Sequence, residues 1–182
     1  MSAPRAKRKK SRAQPLSRLL GSVRAPEVVG VDYRDASDAV GEAIGASARR
    51  NPDAFYRVLA EEPSLLDRHD VIWALGYEKD PRATPPLLVA LRSKLQIVRA
   101  AAANGLERRR GAKLVDPLIA ALRDPSSNVR ERVIVALGRQ RSARALEPLR
   151  AAAAKPSNRR SRRVLRLIEA AIAQIEKSPR AR

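Results

Sequence analysis

The stretch VRAAAANGLERRRGAKLVDPLIAALRDPSSNVRERVIVALGRQ, residues 98–140, decides the fold, because its beginning and its end are one pattern displaced by 31 positions. Carried along the chain, that shift aligns Val71, Ala102, Val133 and Val164, then Ile72, Ala103, Ile134 and Leu165, then Leu75, Leu106, Leu137 and Ile168. The other half of the unit aligns Pro86, Pro117 and Pro148, then Leu87, Leu118 and Leu149, then Leu91, Leu122 and the smaller Ala153. Apolar or proline columns that stay in register without an insertion identify an internal repeat.

Each unit reads as two helices. Val129, Val133, Ile134 and Leu137 recur at the spacing of one helical face, and Gly138 is expected to end that helix as a C-terminal glycine. Asp80, Gly111 and Ser142 share the column expected to cap the next helix, with Pro86, Pro117 and Pro148 in its first turn, where a backbone N–H has no partner to lose. The segments LLVALR, LIAALR and LRAAAA supply the buried stripe of the second helix. Asp124-Pro125-Ser126-Ser127 and Lys155-Pro156-Ser157-Asn158 mark the return turns.

Outward from these units the pattern degrades. DAVGEAIG at 38–45 and NPDAFYRVLA at 51–60 form a shorter pair, so residues 25–66 read as a degenerate N-terminal capping repeat. SRRVLRLIEAAIAQIE, residues 161–176, reads as one long capping helix that closes the repeats of 67–176. A one-dimensional stack needs such polar-faced ends. The expected fold is all-α: an α-solenoid of antiparallel helix pairs, about nine helices over residues 36–176.

Composition narrows the function. Among 182 residues, 38 are Lys or Arg against 19 Asp or Glu, a net charge of +19. Cysteine is absent, which removes disulfides and thiolate chemistry, and the single His69 removes any metal site built on two imidazoles. The five aromatic residues Tyr33, Phe55, Tyr56, Trp73 and Tyr77 are too few for a base-stacking platform. No apolar run approaches the ~18 residues of a membrane span.

The charge is uneven, at +8 over residues 1–24, −4 over 25–66 and +15 over 67–182. Residues 1–24 therefore read as a disordered basic arm, and 177–182 as a disordered basic tail. The run Lys7, Arg8, Lys9, Lys10 suits a polyanion, the Arg and Ser content suits an organelle transit peptide, and a solubilising tail is the plain alternative. The arm lacks the apolar core of a secretory signal, so a cytoplasmic protein is expected, or an imported one if the source is eukaryotic.

The units VIWALGYEKDPRATPPLLVAL, VRAAAANGLERRRGAKLVDPLIAALRDPSSN and VRERVIVALGRQRSARALEPLRAAAA resemble HEAT repeats of the short bacterial type, the HEAT-like repeat of phycobilisome lyases. The resemblance covers residues 67–176 and implies a scaffold rather than one activity, since such repeats occur in assembly factors, bilin lyases, nucleic-acid binders and hydroxylases. LLDRHDVIWALG also looks like the metal-ligating helix of deoxyhypusine hydroxylases, which are built from this repeat and use several His-Glu pairs. Here the matching columns after His69 and Asp70 are Ala100-Ala101, Glu131-Arg132 and Arg162-Arg163, so that ligand set cannot assemble. No cofactor and no catalytic residue is expected.

The informative side chains are cationic. Lys79, Arg110 and Arg141 share one column and Arg82, Lys113 and Arg144 another, both near the turn between the paired helices. Successive units are spaced by roughly one helix diameter, ~10 Å, so the columns predict a continuous basic edge thickened by Arg108, Arg109 and Arg139. Arg159, Arg160, Arg162, Arg163 and Arg166 form a second cluster at the start of the last helix, where cations oppose the helix dipole. Arg68, Arg99 and Arg130 open the first helices and read as structural, bonded to turn carbonyls or to acids such as Asp124. Trp73 is either a partner anchor or packing against the preceding repeat beside Phe55 and Tyr56. These features predict a non-enzymatic, monomeric scaffold for a macromolecular partner with an acidic surface, another protein first. Sequence-independent binding of nucleic-acid phosphates is the alternative, and a bilin-lyase-like or other HEAT-repeat enzyme, such as a glycosylase, the remote third reading.

Overall fold

A computed structural model of the chain describes residues 33–178, which fold into ten α-helices and three 3-10 turns without a strand among them. The helices are α1 (Tyr33–Arg50), α2 (Pro52–Glu61), α3 (His69–Tyr77), α4 (Thr84–Ala90), α5 (Gln96–Glu107), α6 (Ala112–Ala121), α7 (Ser127–Gln140), α8 (Leu146–Ala154), α9 (Pro156–Arg159) and α10 (Arg162–Glu176). The expected arm 1–24 lies outside the described residues, as does the tail beyond Ser178.

Helices α1, α3, α5, α7 and α10 pack successively in one layer, while α4, α6 and α8 form the second layer and lean chiefly on the first helix of the following unit. This is the expected α-solenoid. The repeat columns are its core: Leu75, Leu106, Leu137, Leu87, Leu118 and Leu149 are all inaccessible to solvent. Each fully buried leucine contributes about 2 kcal/mol of apolar transfer.

Each first helix reaches the second by one shared device. The backbone N–H of Ala83, Leu114 and Ala145 bonds back to Asp80, Gly111 and Ser142 at 3.1, 2.9 and 3.0 Å, a 3-10 turn at the same column of all three units. Of the expected caps only Asp80 bonds its side chain to the turn, at Arg82 N. Pro86 sits in the first turn as expected, but Pro117 stands at the sixth position of α6, because there the 3-10 turn is continuous with the helix.

The glycines act differently from the expectation. Gly138 does not end α7, which continues to Gln140; it lies against α10, where an added Cβ would meet Ala171 Cα at 3.0 Å. Gly76 and Gly105 face each other across α3 and α5 just as closely. The residue that closes α7 is Arg141, in the left-handed region at φ 53°. The second return turn is also more regular than expected, since Pro156–Arg159 coil into α9 and bury Asn158.

Candidate functional site

The paired helices are antiparallel, so the turns from first to second helix line one edge of the stack and the return turns line the other. The predicted basic ladder occupies the first edge, and the structure divides it into two classes. Arg82, Arg109, Arg139 and Arg144 are engaged by the protein itself. Arg82 pairs with Asp80 at 2.8 Å and reaches back to Asp53 of the preceding repeat at 2.7 Å, with its guanidinium over the Tyr56 ring. Those carboxylates raise the basicity of Arg82, and Arg82 in turn lowers the Asp80 carboxyl below its usual range. Arg144 pairs in the same way with Asp116 of the preceding second helix, and Arg139 with Glu107.

Arg109 is not an edge cation. Its guanidinium turns inward and donates to the carbonyls of Leu75 at 2.8 Å and Glu78 at 2.6 Å, the last turn of α3 in the unit before. Burial depresses its basicity. Free helix C-terminal carbonyls need donors, and a planar fork that satisfies two of them is a structural joint between repeats. Gln140 completes the joint by donating to Arg109 O at 2.6 Å.

Lys79, Arg110, Lys113 and Arg141 remain. All four are exposed and carry no ion pair among the described residues. Arg108 lies beside them with its guanidinium 4.4 Å from the Tyr77 ring centroid, and donates to Asn104 O. The ladder is thus narrower than the sequence suggested: four bare cations in consecutive turns, edged by one Arg stacked on an aromatic ring.

Trp73 is committed to packing. Its ring lies where a Cβ on Gly41 of α1 would fall, 2.6 Å away, and its centroid is 4.5 Å from Tyr77. The preceding repeat is its neighbour, as one reading expected, although the aromatic partner is Tyr77; Phe55 and Tyr56 pair with each other instead. In the C-terminal cluster Arg163 pairs with Glu131 at 2.8 Å, whereas Arg159, Arg160, Arg162 and Arg166 are exposed with no ion pair among the described residues.

The column Arg68, Arg99 and Arg130 is structural. Arg99 donates to Ser93 O and Lys94 O and forks onto Asp124 at 2.7 and 3.1 Å, and the bonds to that carboxylate raise its basicity. Arg130 repeats the arrangement on Asp124 O and Pro125 O, with the buried Asn158 amide taking the place of the acid. Arg68 forks onto Asp70, which also accepts from Val71 N–H. Asp70 is therefore occupied by its own helix start. Among the described residues no group of three or more His, Asp or Glu is placed to hold a metal ion, and no helix is long and apolar enough to cross a membrane.

A comparison with curated proteins found no match. Residues 84–169 match the family model for HEAT repeats. That span contains the units whose turns carry Arg110, Lys113 and Arg141 and whose arginines lock one repeat to the next, and those units are HEAT repeats.

Proposed function

We propose that this HEAT-repeat scaffold is non-enzymatic and holds a protein partner by an acidic surface laid along the edge of Lys79, Arg110, Lys113 and Arg141. One observation carries the reading. The stack engages its nearby acids, Asp53, Asp80, Glu107 and Asp116, with Arg82, Arg139 and Arg144, yet leaves these four cations exposed and unmatched among the described residues. Unmatched like charges at ~10 Å spacing repel one another and give the fold nothing, so an external anion is their natural counterpart. Arg141 adds to this, because a left-handed helix terminus favours glycine by about 1 kcal/mol or more and an arginine is kept there instead. A protein fits better than a nucleic acid because aromatic rings for base stacking are few along this edge: Trp73 packs against Gly41, and Tyr77, though 48% exposed, carries the Arg108 guanidinium over its ring.

The test is fluorescence anisotropy with a labelled poly-glutamate peptide and a labelled DNA duplex at ~0.15 M salt. Lys79→Glu, Arg110→Glu and Arg141→Glu together are expected to weaken peptide binding by at least about tenfold, which corresponds to about 1.4 kcal/mol. Arg50→Glu, Arg57→Glu and Lys177→Glu carry the same net change away from the ladder and are expected to have a much smaller effect. Equal losses in the two variants would make the ladder a solvated edge. Preferential duplex binding, with the salt slope reduced by roughly 2 to 3 units in the ladder variant, would assign the edge to phosphates instead.

A further inference from the structure

The opposite edge of the stack, where second helices return to first helices, carries a groove that the ladder does not explain. Its larger lobe, about 590 Å³, is lined by Pro63, Leu66, Leu88, Val89 and Pro117, with Arg92 and Lys94 at its margin. A smaller lobe of about 300 Å³ shares Arg92 and Pro117 and extends to Arg123. Together they fall in the size range of ligand clefts, about 300 to 1,000 Å³.

The repeat supplies its own control for what belongs on this edge. Val89, Leu95 and Ile97 are 58%, 50% and 57% exposed, among the few large apolar side chains so open in the described residues. The next unit has Ala120, Ser126 and Asn128 in those columns, and the one after has Ala151, Ser157 and Arg159. Neither of the two following units carries a large apolar side chain there. Leu95 is moreover the N-cap of α5 and makes no side-chain bond to the helix, as Ser126 makes none at the start of α7, so its apolar side chain is simply left in solvent. Three departures from the units that follow all place oil in water.

The charge around the groove names the occupant's chemistry. Arg92, Lys94 and Arg123 are exposed and have no ion pair among the described residues. The acids that line the groove are engaged: Asp67 accepts from Ser93 Oγ at 2.6 Å, and Asp124 is forked by Arg99. We infer that this groove is a second docking site, which takes a peptide segment of a partner with apolar side chains for its floor and carboxylates for its cationic margin. The inference is independent of the ladder, which lies on the other edge. Self-association is opposed by a net charge of +19, and the basic residues 1–24 are repelled by the margin.

The probe is a fluorescein-labelled peptide of about twelve residues alternating Leu and Glu, titrated with the full chain. Val89→Ala, Leu95→Ser and Ile97→Asn together install what the next unit carries, so this variant is expected to melt at the same temperature or higher. Because Val89 lines the groove and Leu95 and Ile97 extend the apolar surface of the same edge, it is expected to bind the probe at least about tenfold more weakly, the loss typical of removing an apolar anchor. Arg92→Gln with Lys94→Gln is expected to weaken binding and flatten its salt dependence. Unchanged affinity in the first variant, or equal affinity for a probe with Gln in place of Glu, would overturn the inference. An affinity gain of about tenfold on changing Val28, Val29 and Val31 to Ser would show the chain's own segment in the groove and overturn the partner. Conversion of a dimer to a monomer by the first variant would do the same in favour of a second copy.

Discussion

Replacing Gly105 by alanine tests how the first-helix layer is held. In an exposed helix interior this change stabilises by about 1 kcal/mol, through propensity alone. Here the new Cβ would stand 2.7 Å from Gly76 Cα and 3.1 and 3.2 Å from the two methyl carbons of Leu87. Carbon atoms pack at about 3.5 to 4.0 Å, so α3 and α5 must separate by roughly 1 Å. Leu87 cannot yield, since it is itself inaccessible and fixed between layers. Overpacking of this kind costs about 1 to 3 kcal/mol. Backbone against backbone sits at the upper end, so the net destabilisation is about 1 to 2 kcal/mol after the propensity gain, a melting point lower by roughly 2 to 8 °C. The assay is thermal and urea unfolding followed by helical circular dichroism. Gly111→Ala is the internal reference, because nothing lies within 4 Å of its Cβ, and it is expected to change stability by less than about 0.5 kcal/mol. A Gly105→Ala protein as stable as wild type, or more so, would refute the close approach.

Three further outcomes follow from the same contacts. Asp124→Ala leaves Arg99 without its carboxylate at a site where the two side chains are only 13% and 7% exposed, and is expected to cost about 3 to 5 kcal/mol in urea unfolding. Arg141→Gly relieves the left-handed backbone and is expected to stabilise by about 1 kcal/mol while weakening poly-glutamate binding; a loss of stability would mean the arginine serves the fold. Burial, then the charges of Asp80 and Glu78, push the Tyr56 phenol up to about 12, so ultraviolet titration is expected to show it ionising after ordinary tyrosines near 10. Because the folded state holds that proton more tightly than the unfolded one, its contribution to stability is intact below pH 10 and is lost between pH 10 and 12. Tyr56 Oη is buried without a hydrogen-bond partner, so Tyr56→Phe is expected to be neutral or stabilising and to abolish this dependence.

Much of the molecule was written in the 31-residue period. Apolar residues at helical spacing, repeated in register, fix both the helix pair and its stacking, because every unit must bury the same stripe against a neighbour that presents the same one. The structural column of Arg99 and Arg130 was legible for the same reason, its carbonyl partners lying only five or six residues away. What the period could not show is what passes between units. Arg82 and Arg144 meet acids 29 and 28 residues back, whereas the same step from Lys113 reaches Thr84 and Pro85. One column of cations is therefore split into paired and bare members by residues outside it.

Arg109 looked like its neighbours Arg108 and Arg110, and only the path of the chain sends it inward to carbonyls 31 and 34 residues away while they stay in water. Gly138 likewise reads as a stop by its local sequence, yet the approach of α10 uses its missing Cβ as a contact. Local pattern determines which segments coil and which faces are buried, since those depend on spacing within a dozen residues. The roles of single glycines and arginines depend on which neighbour arrives within about 4 Å, and that is decided when the units are stacked.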